Sequence, residues 1–108
     1  MAIRAVIIGT LLAGLAFGQS APVPIFKPDP RYTDEARKAG IEGTVSVQAL
    51  IDEQGIPRDP KVKRSLDKGL DEQAIETVKS WRFKPATSRD GKPISVAVTI
   101  EIVFKLPK

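Results

Sequence analysis

Residues 93–108 alternate with unusual persistence. Ile94, Val96, Val98, Ile100, Ile102, Phe104 and Leu106 share one parity, and Ser95, Ala97, Thr99, Glu101, Val103 and Lys105 take the other. A period of two held this long predicts a β-strand with one buried face. β-branched side chains dominate it, and proline stands only before its start and after its end. A second alternating run covers residues 42–52, where Val45, Val47, Ala49 and Ile51 oppose Thr44, Ser46, Gln48 and Leu50. Asp52-Glu53-Gln54-Gly55 then has the composition of a tight reversal. The returning strand lies within residues 56–66 and is clearest over 61–65, because Pro57 and Pro60 interrupt its start.

Two other stretches repeat at three and four. Leu70, Ala74, Ile75, Val78 and Trp81 make one apolar stripe, predicting a helix over residues 70–80 with Asp71 and Glu72 in its first turn and Lys79 in its last. A two-turn helix is predicted over residues 33–39. Thr33 is placed to cap it, acids precede bases along it, and Gly40 ends it with Ile41 folding back. So short a helix does not hold alone, so Tyr32 and Ala36 must pack on something. Phe83 and Pro85 turn the chain off the longer helix, residues 86–92 read as loop, and Asp90-Gly91 turns into the last strand. The order α-β-β-α-β predicts an α+β fold: a three-stranded antiparallel sheet with two helices packed on one face.

In a sheet of three strands, two are edges. The prolines mark the second strand as one of them, and the first strand most naturally lies centrally. That leaves the last strand with unpaired backbone over Ser95, Val96, Ala97, Val98, Thr99, Ile100, Glu101, Ile102 and Val103. Glu101 and Lys105 blunt this edge only mildly. Such an edge accepts a peptide as an added strand, pairs with a second copy of the chain, or lies under a loop.

Residues 1–18 read as an export signal: Arg4, an apolar run over 5–17, and the small pair Ala16 and Gly18 before Gln19. The run is short for a membrane span of about 20 residues; an uncleaved anchor is the alternative. Residues 19–30, with Pro22, Pro24, Pro28 and Pro30, read as an extended arm, and residues 31–108 as the domain.

Composition narrows the chemistry. The 108 residues contain no cysteine and no histidine, which removes thiolate chemistry, the usual proton shuttle and the commonest metal ligands. No serine has a histidine to activate it, the lysines Lys61, Lys63 and Lys68 read as a solvated face, and the Asp52–Gln54 turn lacks the ligand spacing of a calcium loop. Gly40 and Gly43 precede no Lys-Ser or Lys-Thr, so they form no phosphate loop. A net charge of +4 with acids and bases interleaved gives no nucleic-acid footprint. The expectation is therefore a protein that is not an enzyme and holds no metal or cofactor. Trp81 and Phe83 are either an exposed recognition pair or core, and the end of an amphipathic helix favours core for Trp81.

The ordered residues resemble the C-terminal domain of TonB-family energy transducers. The likeness is carried by Tyr32 with Glu35-Ala36-Arg37, by Gly40-Ile41-Glu42-Gly43-Thr44-Val45, and by the hairpin ending at Gly55. It continues through Gly69-Leu70-Asp71, Ala74-Ile75, Val78, Trp81-Arg82-Phe83-Lys84-Pro85-Ala86, Asp90-Gly91-Lys92-Pro93 and the closing strand. It implies a periplasmic domain that grips a segment of an outer-membrane receptor as an added strand beside residues 96–103, helped by the arm before Tyr32. It also implies work supplied by an inner-membrane motor complex and uptake of siderophores or other large nutrients. The family pattern includes a membrane helix and a long Pro-rich spacer, whereas the arm here is short. A stand-alone homodimeric or adaptor domain is the alternative.

Overall fold

The computed structural model describes residues 4–6 and 20–107. Its centre is β3 (Gly43–Ile51), flanked by β4 (Pro57–Arg64) and β8 (Val96–Phe104), all antiparallel. The nine residues of β3 pair one to one with those of β8, from Gly43 opposite Phe104 to Ile51 opposite Val96. This is the expected three-stranded sheet. It is extended by β1 (Arg4–Val6), which pairs antiparallel with β8 at Val103, Ile102 and Glu101 to make a fourth strand. Residues expected to stand outside the fold therefore touch the edge that the pattern left open.

One face of the sheet carries the core. Val45, Val47, Ala49 and Ile51 of β3 and Val98, Ile100, Ile102 and Phe104 of β8 are buried beneath two helices. α1 (Asp34–Lys38) contributes Ala36, and α2 (Lys68–Ser80) contributes Leu70, Ala74 and Val78. Burial of a large aliphatic side chain stabilises by about 1.5–3 kcal/mol, so these residues set the stability of so small a domain.

The helix ends are built as their sequences suggest. The Thr33 hydroxyl accepts the Ala36 N–H at 3.1 Å. At the other end the Gly40 N–H donates to Arg37 O and the Ile41 N–H to Ala36 O, closing the paired hydrogen bonds of a glycine-terminated helix. Tyr32 donates its hydroxyl to the Ile41 carbonyl and sets its ring edge-on to Phe104, centroids 5.5 Å apart. Burial, and then the Glu42 carboxylate, hold the Tyr32 phenol above its usual pKa. α2 begins before Leu70 because Asp67 caps it, accepting the Leu70 N–H at 3.0 Å. Asp71 turns back to accept the Leu66 N–H at 2.9 Å, fastening the linker to the helix.

Three features depart from the sequence reading. The alternating run is split: β7 (Pro93–Ile94) pairs with β6 (Ala86–Thr87), and Ser95 belongs to neither β7 nor β8. A small hairpin thus stands where residues 86–92 read as loop. The arm is also part of the domain, since β2 (Val23–Phe26) pairs antiparallel with β5 (Arg82–Lys84). The Trp81 Nε1–H donates to the Pro28 carbonyl at 3.1 Å, and Ser20 exchanges backbone hydrogen bonds with Thr87.

Candidate peptide-docking edge

β8 has two backbone sides and two faces. Its inner face inserts Val98, Ile100 and Ile102 into the core, while Ala97, Thr99, Glu101 and Val103 are half-buried on the outer face. One backbone side is committed to β3 along the whole strand. The other carries β1 opposite Glu101, Ile102 and Val103, and among the described residues Val96, Ala97, Val98, Thr99 and Ile100 have no strand on that side. Ser95 is exposed and non-strand, so it drops out of the expected edge. Glu101 is held by Ser46, whose hydroxyl donates to its carboxylate at 2.8 Å. A strand added here would meet a small or hydroxylated outer row, so most of its affinity would come from backbone hydrogen bonds.

The other residues singled out by sequence shape the scaffold behind this edge. Leu70, Ala74, Val78 and Trp81 are fully buried and Phe83 nearly so, with the Trp81 and Phe83 rings 6.0 Å apart; both are core, not an exposed pair. A Cβ on Gly43 would lie 2.7 Å from Leu66 Cδ1. Gly55 lets the β3–β4 turn meet β5 backbone to backbone, and the Phe83 N–H donates to its carbonyl at 2.9 Å. Pro85 separates β5 from β6, and Gly91 closes the turn before β7, its N–H donating to Ser88 O. Tyr32 and Gly40 anchor and end α1 as described.

The titratable groups that depart from ordinary behaviour are also structural. Asp52 accepts the Ile56 and Gln54 N–H groups and pairs with Arg58 at 2.9 Å; the Ile56 hydrogen bond is the main reason its carboxyl is held low. Asp90 is held low chiefly by the Ser88 hydroxyl, within the β6–β7 turn. Among the described residues no cluster of three metal-ligating side chains occurs, and no helix is long and apolar enough to cross a membrane. The small pair Ala16 and Gly18 lies outside the described residues.

Sequence reasoning missed the outward apolar row of the arm. Val23, Ile25 and Phe26 are 51%, 71% and 57% exposed. The alternation of Val23 and Ile25 between prolines is a strand signal, but four prolines in ten residues masked it.

A family model described as the Gram-negative bacterial TonB protein C-terminal matches residues 28–106. Protein TonB of Vibrio cholerae is 38% identical over 95 residues, a match covering 81% of this chain and 38% of that protein. Protein tonB2 of Pseudomonas aeruginosa is 35% identical over 83 residues, covering 76% of this chain and 30% of the relative. The chain thus spans 38% and 30% of the length of these two curated relatives. The solution NMR structure of the Pseudomonas aeruginosa TonB CTD superposes with a TM-score of 0.68 at 26% identity, covering 92% of this chain and 97% of that one.

Proposed function

Because the chain belongs to the family of TonB C-terminal domains, we propose that it is a periplasmic interaction module that docks a short receptor segment by strand addition to β8. The observation that carries this reading is the pairing of β1: the outer backbone of β8 accepts an antiparallel strand at Glu101–Val103, and among the described residues the same side has no partner from Ile100 to Val96. In this reading residues 1–18 are an export signal. Their removal strips Arg4–Val6 from β8 and opens the full edge. The receptor is a TonB-dependent outer-membrane protein, and an inner-membrane motor complex supplies the pull in energy-coupled nutrient uptake.

The test is an amide titration of the protein lacking residues 1–18 with peptides from the plug-side segment of such receptors. Chemical-shift changes concentrate at residues 96–103, and N-methylating alternate peptide nitrogens on the bonded side abolishes them. Shifts confined to α1 and α2 refute the proposal. A doubled mass without peptide, with β8 protected, assigns the edge to a homodimer instead.

A further inference from the structure

The sheet's outer face, away from the helices, is not neutral. β3 presents Ser46, Gln48 and Leu50 there, the residues between its buried Val45, Val47, Ala49 and Ile51. Their partners across β4 are Arg64, Lys61 and Arg58. Three cations thus share one face although they are spaced by three in sequence, a spacing that an ideal strand would scatter over both faces.

Two bulges make this possible. The register slips once between the Ser46 and Val47 pairs and once between the Gln48 and Leu50 pairs, so β4 takes six steps from Arg58 to Arg64 where β3 takes four. Asp59, with φ +48°, lies in the second slip. Each extra residue restores the parity of the next cation while Val62, opposite Val47, still packs on the core. The product is a single file of Arg64, Lys61 and Arg58 at the pitch of alternate residues on a neighbouring strand, about 6.8 Å apart.

The charges are available. All three side chains are exposed, and only Arg58 pairs with a carboxylate, that of Asp52 at 2.9 Å; Lys61 and Arg64 have none within 4.0 Å among the described residues. A shallow depression beside the row is lined by Gln48, Leu50, Arg58, Asp59, Lys61 and Ala97. Pro57 and Pro60 make the side of β4 that carries no strand among the described residues a poor template for strand addition. Recognition at β4 therefore falls to the face and its charges.

We propose that this face is a second docking surface, for an extended acidic segment of a partner protein with carboxylates at alternate positions. The pitch selects this occupant. An extended chain repeats same-side residues at about 6.6–6.8 Å, so carboxylates at i, i+2 and i+4 meet Arg64, Lys61 and Arg58 in turn, and Gln48 offers an amide beside them. One narrow file suits a linear polyanion better than the broad patch a lipid surface engages. The surface does not depend on strand addition at β8, from which β3 separates it.

The experiment is an amide titration of the full chain with the peptide Thr-Glu-Thr-Glu-Thr-Glu, beside an isomer in which the three glutamates are contiguous. The alternating peptide shifts Gln48, Arg58, Lys61 and Arg64 and binds several-fold more tightly than its isomer. The double variant Lys61→Gln/Arg64→Gln loses about tenfold in affinity, the scale of two exposed ion pairs, while its remaining amide spectrum stays native. Equal binding of both peptides, shifts elsewhere, or binding of anionic phospholipid vesicles in place of peptide overturns the proposal. So does an unchanged affinity in the folded variant.

Discussion

Gly55 is the point where two backbones touch, and replacing it with alanine isolates what that contact is worth. Its φ is +80°, and an ideal Cβ would lie 1.7 Å from the Phe83 carbonyl oxygen. The left-handed backbone alone costs an alanine about 1–2 kcal/mol. Retreat of β5 breaks the 2.9 Å hydrogen bond from the Phe83 N–H to Gly55 O, worth about 0.5–1.5 kcal/mol. Repacking Phe83 and its neighbours adds about 1–3 kcal/mol, as for an overfilled core. The expected loss is about 4 kcal/mol, a large part of the 5–15 kcal/mol typical of a small domain. Gly40→Ala is the control: φ is +69° but nothing lies within 4 Å of the added methyl, so only the conformational cost of about 1–2 kcal/mol applies. In urea melts followed by circular dichroism, the Gly55 variant shifts its midpoint down by about 3 M, or is unfolded without urea, and the control by about 1 M. Equal losses would show that the turn and β5 are not held in contact.

Two further outcomes follow from named hydrogen bonds. Trp81→Phe leaves the Pro28 carbonyl without its 3.1 Å donor and a gap where the larger indole was fully buried; stability falls by about 1 kcal/mol for the hydrogen bond and further for the cavity, and limited proteolysis within residues 21–30 accelerates while cleavage in α2 does not. Asp52 has a folded pKa below its ordinary value of 3.8, so its contribution is fully present above that value and is lost as pH falls through the lower folded pKa. Wild-type stability therefore declines on acidification below about pH 4, and Asp52→Asn, measured by urea melts at stepped pH, is less stable at neutral pH and shows a shallower decline. An unchanged acid slope would mean that the turn does not draw on the charge.

The elements that could be read from sequence are those whose signals are local. Thr33 and Gly40 bracket α1 through bonds within a few residues, and the parity of β3 and of most of β8 is fixed by their own apolar side chains. The misreadings arise where a distant partner decides. Ser95 keeps the alternation of its neighbours, but Ile94 is drawn to Ala86 and Val96 to Ile51, so the strand breaks between them. The arm looked like a lead-in because prolines cannot donate, yet β5 and the Trp81 indole supply partners from far along the chain. Asp67 passed unnoticed as a cap because the apolar stripe begins only at Leu70. The cationic file on β4 was invisible because its facing depends on bulges, and a bulge has no signature in the alternation it disrupts.

The pairing of β3 with β8 also governs how the domain comes to be folded. Ile51 and Val96 are the nearest partners, 45 residues apart in sequence, whereas Ile51 and Pro57 in the hairpin are six apart. The hairpin and α2 form from local contacts, but half of the buried sheet face arrives only with β8, after a long loop has closed. Until then Val45, Val47, Ala49 and Ile51 have the helices and Val62 of β4 to pack on, but lack the β8 side chains that complete their layer. The core layer is therefore completed by β8, the strand whose pairing with β3 needs the longest loop to close.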